Sequence, residues 1–74
     1  MKVLVVGGGG REHAICWKLA QSPKVTELYC APGNGGIAQV ATCVPIKATD
    51  VDGMVAWARE NAMDFVMVAP DDPL

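Results

Sequence analysis

With 74 residues the chain can bury one small core and is too short for two domains. Hydrophobic residues make up 51% and charged residues 19%, with a formal net charge of -2, which excludes intrinsic disorder and leaves no basic footprint for nucleic acid or an anionic membrane. Cys16, Cys30 and Cys43 are odd in number and lack C-x-x-C spacing, so they read as reduced, buried small hydrophobes of a cytoplasmic protein, not as a disulfide frame or a zinc site. No apolar run approaches the ~18–20 residues of a membrane span, and the N-terminus lacks the roughly 7–15 apolar residues of a signal peptide core.

Lys2 to Val6 is a β-branched run without polar alternation, the pattern of a strand covered on both faces. Gly7 to Gly10 follow it directly. Glu12 to Gln21 has helical spacing: Ile15 and Leu19 share a face, which Ala14, Cys16 and Trp17 widen. Ser22-Pro23-Lys24 ends this helix, because proline disfavours helical geometry in the residue before it. Val25 to Cys30 predicts a second strand, and Ala31-Pro32-Gly33-Asn34-Gly35-Gly36 a turn-rich loop. Ile37 to Thr42 predicts a short helical turn. Cys43 to Ile46 predicts a third strand at the sheet edge, since Pro45 cannot donate to a ladder. Thr49 and Asp52 form a capping pattern that opens a second helix. Val51, Met54, Val55, Ala58 and Ala62 mark its buried stripe, and Gly53 costs it about 1 kcal/mol relative to Ala. Asp64 to Ala69 predicts a fourth strand, again apolar on both faces, and Pro70-Asp71-Asp72-Pro73-Leu74 closes the sequence.

This alternation predicts an α/β, Rossmann-like open parallel sheet of about four strands in the order 3-2-1-4, with flanking helices and right-handed crossovers. A helix normally follows and covers such a fourth strand. Residues 1–74 are therefore expected to be the front part of a longer protein, an incomplete domain whose uncovered strand favours self-association.

The chemistry concentrates where Gly7-Gly8-Gly9-Gly10-Arg11-Glu12 joins the first strand to the first helix. A helix start offers unsatisfied N–H donors and a positive dipole end, which suit a phosphate, and open α/β sheets bind ligands at the carboxyl ends of their strands. The alternative is a tight strand-to-helix turn without a ligand. The dinucleotide fingerprint G-x-G-x-x-G fails, because Glu12 or His13 stands at the third glycine position. The acidic residue expected at the end of the second strand is also missing, since Cys30-Ala31 stands there. G-x-x-x-x-G-K-[ST] is absent. Arg11 is a candidate phosphate or carboxylate clamp, or a solvent-facing charge. His13 precedes Trp17 by one helical turn and is expected to lie on the helix surface, and Glu12 places a favourable charge at the dipole's positive end. Asn34 either contacts a ligand or holds its own loop by an Asx-type hydrogen bond. Asp71 and Asp72 are not a metal site by themselves, but one of them could bond a ligand hydroxyl. A single His without a second candidate base gives no catalytic triad.

Met1 to Ala14, with Trp17-Lys18-Leu19 behind it, resembles the opening of the phosphoribosylamine–glycine ligases. Ala31-Pro32-Gly33-Asn34-Gly35-Gly36 resembles the family's A-P-G-N-x-G loop, and Val68-Ala69-Pro70-Asp71-Asp72-Pro73-Leu74 its V-G-P-E-x-P-L segment. The resemblance spans essentially the whole chain, and the joined G-G-R-E-H and A-P-G-N-x-G motifs are its specific part. It implies an ATP-dependent ligase of the ATP-grasp superfamily that joins glycine to 5-phosphoribosylamine in purine biosynthesis. It further implies an acyl phosphate of glycine and ATP accompanied by Mg²⁺ or Mn²⁺. The matching region corresponds to the Rossmann-like N-terminal domain ahead of the ATP-grasp module, so this chain alone is expected to bind no cofactor and to be inactive. By position, the resemblance implies that Gly9, Gly10 and Arg11, then Pro70 and Asp71, hold the phosphoribosyl substrate. The glycine turn would face the ribose or phosphate, and Asp71 a ribose hydroxyl. Asp71 stands where the family has Glu, one methylene shorter, and Ala69 where the family has Gly. The runner-up function is a stand-alone dinucleotide- or phosphate-binding module.

Overall fold

The computed structural model describes residues 1–47 and 49–68. Its elements are β1 (Lys2–Gly7), α1 (Gly10–Ala20), β2 (Glu27–Pro32), a 3-10 turn (Ile37–Gln39), β3 (Thr42–Cys43), α2 (Val51–Glu60) and β4 (Phe65–Val68). The strands form one parallel sheet in the order β3-β2-β1-β4, the topology expected from the alternation of strands and helices.

β1 is central because it alone carries four consecutive buried apolar residues. Its pleat sends alternate side chains to opposite faces. Val3 and Val5 join Cys16, Cys30 and Ile37 on the α1 side, with Ile15 and Leu19 packed against them. Leu4 and Val6 join Ala31, Val44 and Met54 on the α2 side, backed by Tyr29, Trp57 and Ala58. Covering β1 on both faces stabilises the fold by roughly 1.5–3 kcal/mol for each fully buried Val or Leu. Tyr29 and Trp57 meet edge to face, with centroids 5.0 Å apart and planes at 68°. Asp64 pins the start of the sheet: Lys2 N–H donates to Asp64 Oδ2 at 2.7 Å, and Asp64 N–H donates to Lys2 O at 2.9 Å.

Several boundaries differ from the sequence expectation. α1 begins at Gly10 and not at Glu12, because the Glu12 carboxylate reaches back to the Gly9 N–H and starts the helix two residues earlier. β2 runs from Glu27 to Pro32 and not from Val25 to Cys30, since six residues pair in register with β1, from Lys2↔Glu27 to Gly7↔Pro32. The short helical turn expected after the loop is the 3-10 turn at Ile37–Gln39. β3 lies at the edge as expected but covers only Thr42–Cys43, two residues ahead of Pro45, where the missing N–H prevents a longer ladder.

α2 is capped by Asp50, whose Oδ1 accepts from Gly53 N–H at 3.0 Å, and not by the Thr49–Asp52 pair. Gly53 permits this cap, since a Cβ there would stand 2.5 Å from Asp50 Oδ2. Of the expected buried stripe only Met54 is buried; Ala58 is half-buried, and Val51 and Val55 are exposed. Ala62 lies past the helix end with φ of 55°. β4 was expected to be covered on both faces. Phe65, Val66 and Val68 are instead exposed: among the described residues β4 pairs only with β1, and Val66 and Val68 line an open apolar groove beside α2. Trp17 is 57% exposed and Ala14 is exposed, so neither widens the buried face of α1. Among the described residues no helix is long and apolar enough to cross a membrane.

Candidate functional site

Parallel pairing of β1 with β2 brings both glycine-rich loops to one edge of the sheet, with Gly7 opposite Pro32. The first loop leaves β1 through Gly7, whose φ of +135° is a conformation that L side chains rarely adopt. A Cβ on Gly7 would also collide with the Glu12 side chain, 2.5 Å from its Cγ and Oε1. Gly8 lies against the second loop, and a Cβ there would stand 2.9 Å from the backbone oxygen of Gly33. Gly10 opens α1 with no described residue within 4 Å of the position a Cβ would take.

The turn therefore has two sides. Its inner side, Gly7 and Gly8, is filled by Glu12 and Gly33. Its outer side, Gly9, Gly10 and Arg11, is exposed at the positive end of the α1 dipole. Gly9, Gly10 and Arg11, the three described members of the expected site, are thus consecutive and solvent-facing where a phosphate could approach. Pro70 and Asp71, its other two members, lie outside the described residues.

Glu12 does more than the expected interaction with the helix dipole. It is 8% exposed, its Oε2 accepts from Gly9 N–H at 3.0 Å, and its stem fills the space left by Gly7. The Gly9 N–H is thereby committed within the protein, so any ligand at the turn must meet donors beyond it. The signal in the sequence was a Glu at the third helical position, the acidic half of a capping box.

The second loop is tied to the first at several points. Gly33 N–H donates to Gly7 O at 3.1 Å, and Asn34 Nδ2 donates to Gly8 O at 2.7 Å. Asn34 Oδ1 accepts from Ile37 N–H at 2.9 Å, which is the Asx-type bond, and opens the 3-10 turn. The His13 imidazole lies against the same loop, since a Cβ on Gly36 would stand 2.8 Å from His13 Cε1.

The cysteines lie beneath these loops. Cys30 Sγ donates to Gly7 O at 3.2 Å, and Cys43 Sγ to Asn34 O at 3.5 Å. Burial pushes the Cys30 thiol up to about 12, with the neighbouring Cys16 adding to the shift. Burial also raises Cys16. Cys16 and Cys30 are buried packing residues of the core, as expected, whereas Cys43 is only half-buried against it; all three cysteines are free thiols. Among the described residues no group of three or more His, Cys, Asp or Glu side chains could hold a metal ion, so no metal step is assigned to them.

The fold and the two-loop edge define a Rossmann-like domain with a candidate anion site at the carboxyl end of its central strand. Residues 1–74 match the family model described as Phosphoribosylglycinamide synthetase, N domain, and the chain belongs to that family. It is 54% identical over 74 residues to the phosphoribosylamine–glycine ligase of Agrobacterium fabrum, a match covering 100% of this chain and 18% of the relative. The phosphoribosylamine–glycine ligase of Halalkalibacterium halodurans is 55% identical over 74 residues, covering 100% of this chain and 17% of the relative. A trifunctional purine biosynthetic protein, adenosine-3, of Drosophila melanogaster is 49% identical over 78 residues, covering 99% of this chain and 6% of the relative. The chain thus spans less than a fifth of the length of the bacterial ligases it matches.

Proposed function

We propose that this chain is the substrate-side domain of a phosphoribosylamine–glycine ligase, and that its outer glycine turn holds the phosphoribosyl group. The observation that carries the reading is the likeness of this whole chain to a part of ligases so named, together with an exposed helix start at the carboxyl end of β1. In this reading Gly10 lets the phosphate or ribose approach the backbone, and the Arg11 guanidinium faces the phosphate as a fixed fork of donors. Pro70 and Asp71 complete the site, with the Asp71 carboxylate accepting from a ribose hydroxyl. ATP with Mg²⁺ or Mn²⁺ would supply the activation of the glycine carboxylate, and an ATP-grasp portion outside residues 1–74 would hold it. This chain's part is binding and orientation: it fixes the phosphoribosyl end so that the amine is presented to activated glycine. The setting is purine biosynthesis in the cytoplasm, in keeping with three free thiols.

The test has two arms. The complete ligase carrying this chain should form ADP only when ATP, glycine and phosphoribosylamine are all present, and residues 1–74 alone should form none. Titrating ribose 5-phosphate into the 74-residue chain, followed by amide NMR, should move the Gly10 and Arg11 signals before others. Shifts confined to other parts of the sheet would overturn the site, and ADP formation that ignores phosphoribosylamine would overturn the activity.

A further inference from the structure

The Gly8–Gly9 peptide plane is held at both ends. Its carbonyl oxygen accepts from Asn34 Nδ2 at 2.7 Å, and its N–H donates to Glu12 Oε2 at 3.0 Å. A trans peptide points these two groups in opposite directions, so either bond alone orients the plane and the two together lock it. Asn34 is itself locked: its Oδ1 accepts from Ile37 N–H at 2.9 Å, and its own carbonyl accepts from Ala38 N–H at 2.9 Å and from Cys43 Sγ. The preceding plane is held as well, with Gly7 O accepting from Gly33 N–H and Cys30 Sγ. The second loop thus grips two successive carbonyls of the first, Gly7 O and Gly8 O.

We infer that Asn34 is a positioning residue for the phosphoribosyl site: by pinning Gly8 O it sets where the first donors of α1 point, without touching the ligand. The inference rests on the reading that the outer glycine turn holds the phosphoribosyl group. One amide does what two separate side chains would otherwise do, since it donates across to the first loop and accepts within its own. Asp at this position keeps the acceptor for Ile37 N–H, loses the donor and sets a carboxylate oxygen against Gly8 O. That repulsion turns the peptide plane and draws Gly9 N–H away from Glu12. Ser keeps a local acceptor but is too short to reach Gly8 O.

The test uses the 74-residue chain with ribose 5-phosphate as the probe, and ribose and inorganic phosphate as separate arms. Asn34→Asp and Asn34→Ser should each weaken ribose 5-phosphate by about tenfold, the equivalent of one good hydrogen bond. Both should also move the Gly9 amide signal, which reports the bond to Glu12. Unchanged affinity in both variants, with or without a fall in thermal midpoint, would overturn the inference and leave Asn34 a merely structural residue. Gly10→Ala separates the two levels. If it loses binding while both Asn34 variants keep it, the turn is the site and the clamp is wrong. If Gly10→Ala binds like the parent chain, or the parent chain does not bind, the reading of the site fails and the inference falls with it.

Discussion

Gly10→Ala should stabilise the protein and damage its binding at the same time, a combination that a purely structural glycine does not give. Gly10 is the first residue of α1, has no left-handed backbone, and has no described residue within 4 Å of a would-be Cβ. Alanine therefore fits without strain and removes conformational freedom from the unfolded chain, which is worth about 0.4–1 kcal/mol. For a domain of this size that gain raises the melting temperature by about 2–8 °C, at roughly 4–8 °C per kcal/mol. The same methyl stands on the exposed edge where, in the proposed site, the phosphate meets the backbone. Losing one charge-assisted bond there, about 1.5–3 kcal/mol, weakens ribose 5-phosphate by at least about tenfold. Calorimetric melting and an NMR titration on the same sample measure both quantities. A lower melting temperature would show that the open space at Gly10 was misjudged. A raised melting temperature with unchanged affinity would show that no ligand meets the turn at Gly10.

Gly8→Ala has the opposite signature, because its Cβ would stand 2.9 Å from the Gly33 backbone oxygen; overpacking of this kind should lower stability by about 1–3 kcal/mol in urea denaturation. Ala62→Gly should raise stability by about 1 kcal/mol, since Ala62 holds φ of 55° while its N–H and that of Met63 bond back to Arg59 O and Ala58 O in the manner of a Schellman turn. Cys30 binds its proton more tightly folded than unfolded, so its contribution is complete below about 9 and is lost as pH rises towards about 12; urea midpoints should fall over that window, and the fall should shrink in Cys30→Ala. The isolated chain should self-associate through Val51, Val55, Val66 and Val68, which line one apolar groove between α2 and β4, and Val55→Lys should return it to a concentration-independent monomer in sedimentation.

The order of the sheet was legible because period and punctuation agree. A β-branched run, four glycines, a helical stretch and a second β-rich run leave few topologies once crossovers are right-handed. The boundaries were less legible, because each depends on a contact distant in sequence or on a competition between neighbours. β2 extends to Pro32 because β1 is long enough to pair with it there. α2 is capped by Asp50 and not by Thr49, because Gly53 leaves room for the Asp50 carboxylate. The apolar stripe of α2 was identified as buried from its spacing alone. Periodicity shows which side of a helix is apolar but not what lies against it, and Val51 and Val55 border an open groove beside β4.

The glycine run illustrates the same limit at the candidate site. Four consecutive glycines look equivalent in a sequence, yet the fold divides them by what stands beside each Cα. Gly7 is required by its backbone and by Glu12, and Gly8 by the approach of Gly33. Neither reason concerns a ligand. Among the described residues Gly10 has neither constraint, so the fold itself gives no reason for a glycine there. Asn34 shows the converse. It stands exposed in a glycine-rich loop and looks ready for a ligand, yet its amide bonds both to the first loop and within its own. Exposure at this edge therefore does not mark Asn34 as free for a ligand, because both ends of its amide already have partners in the chain.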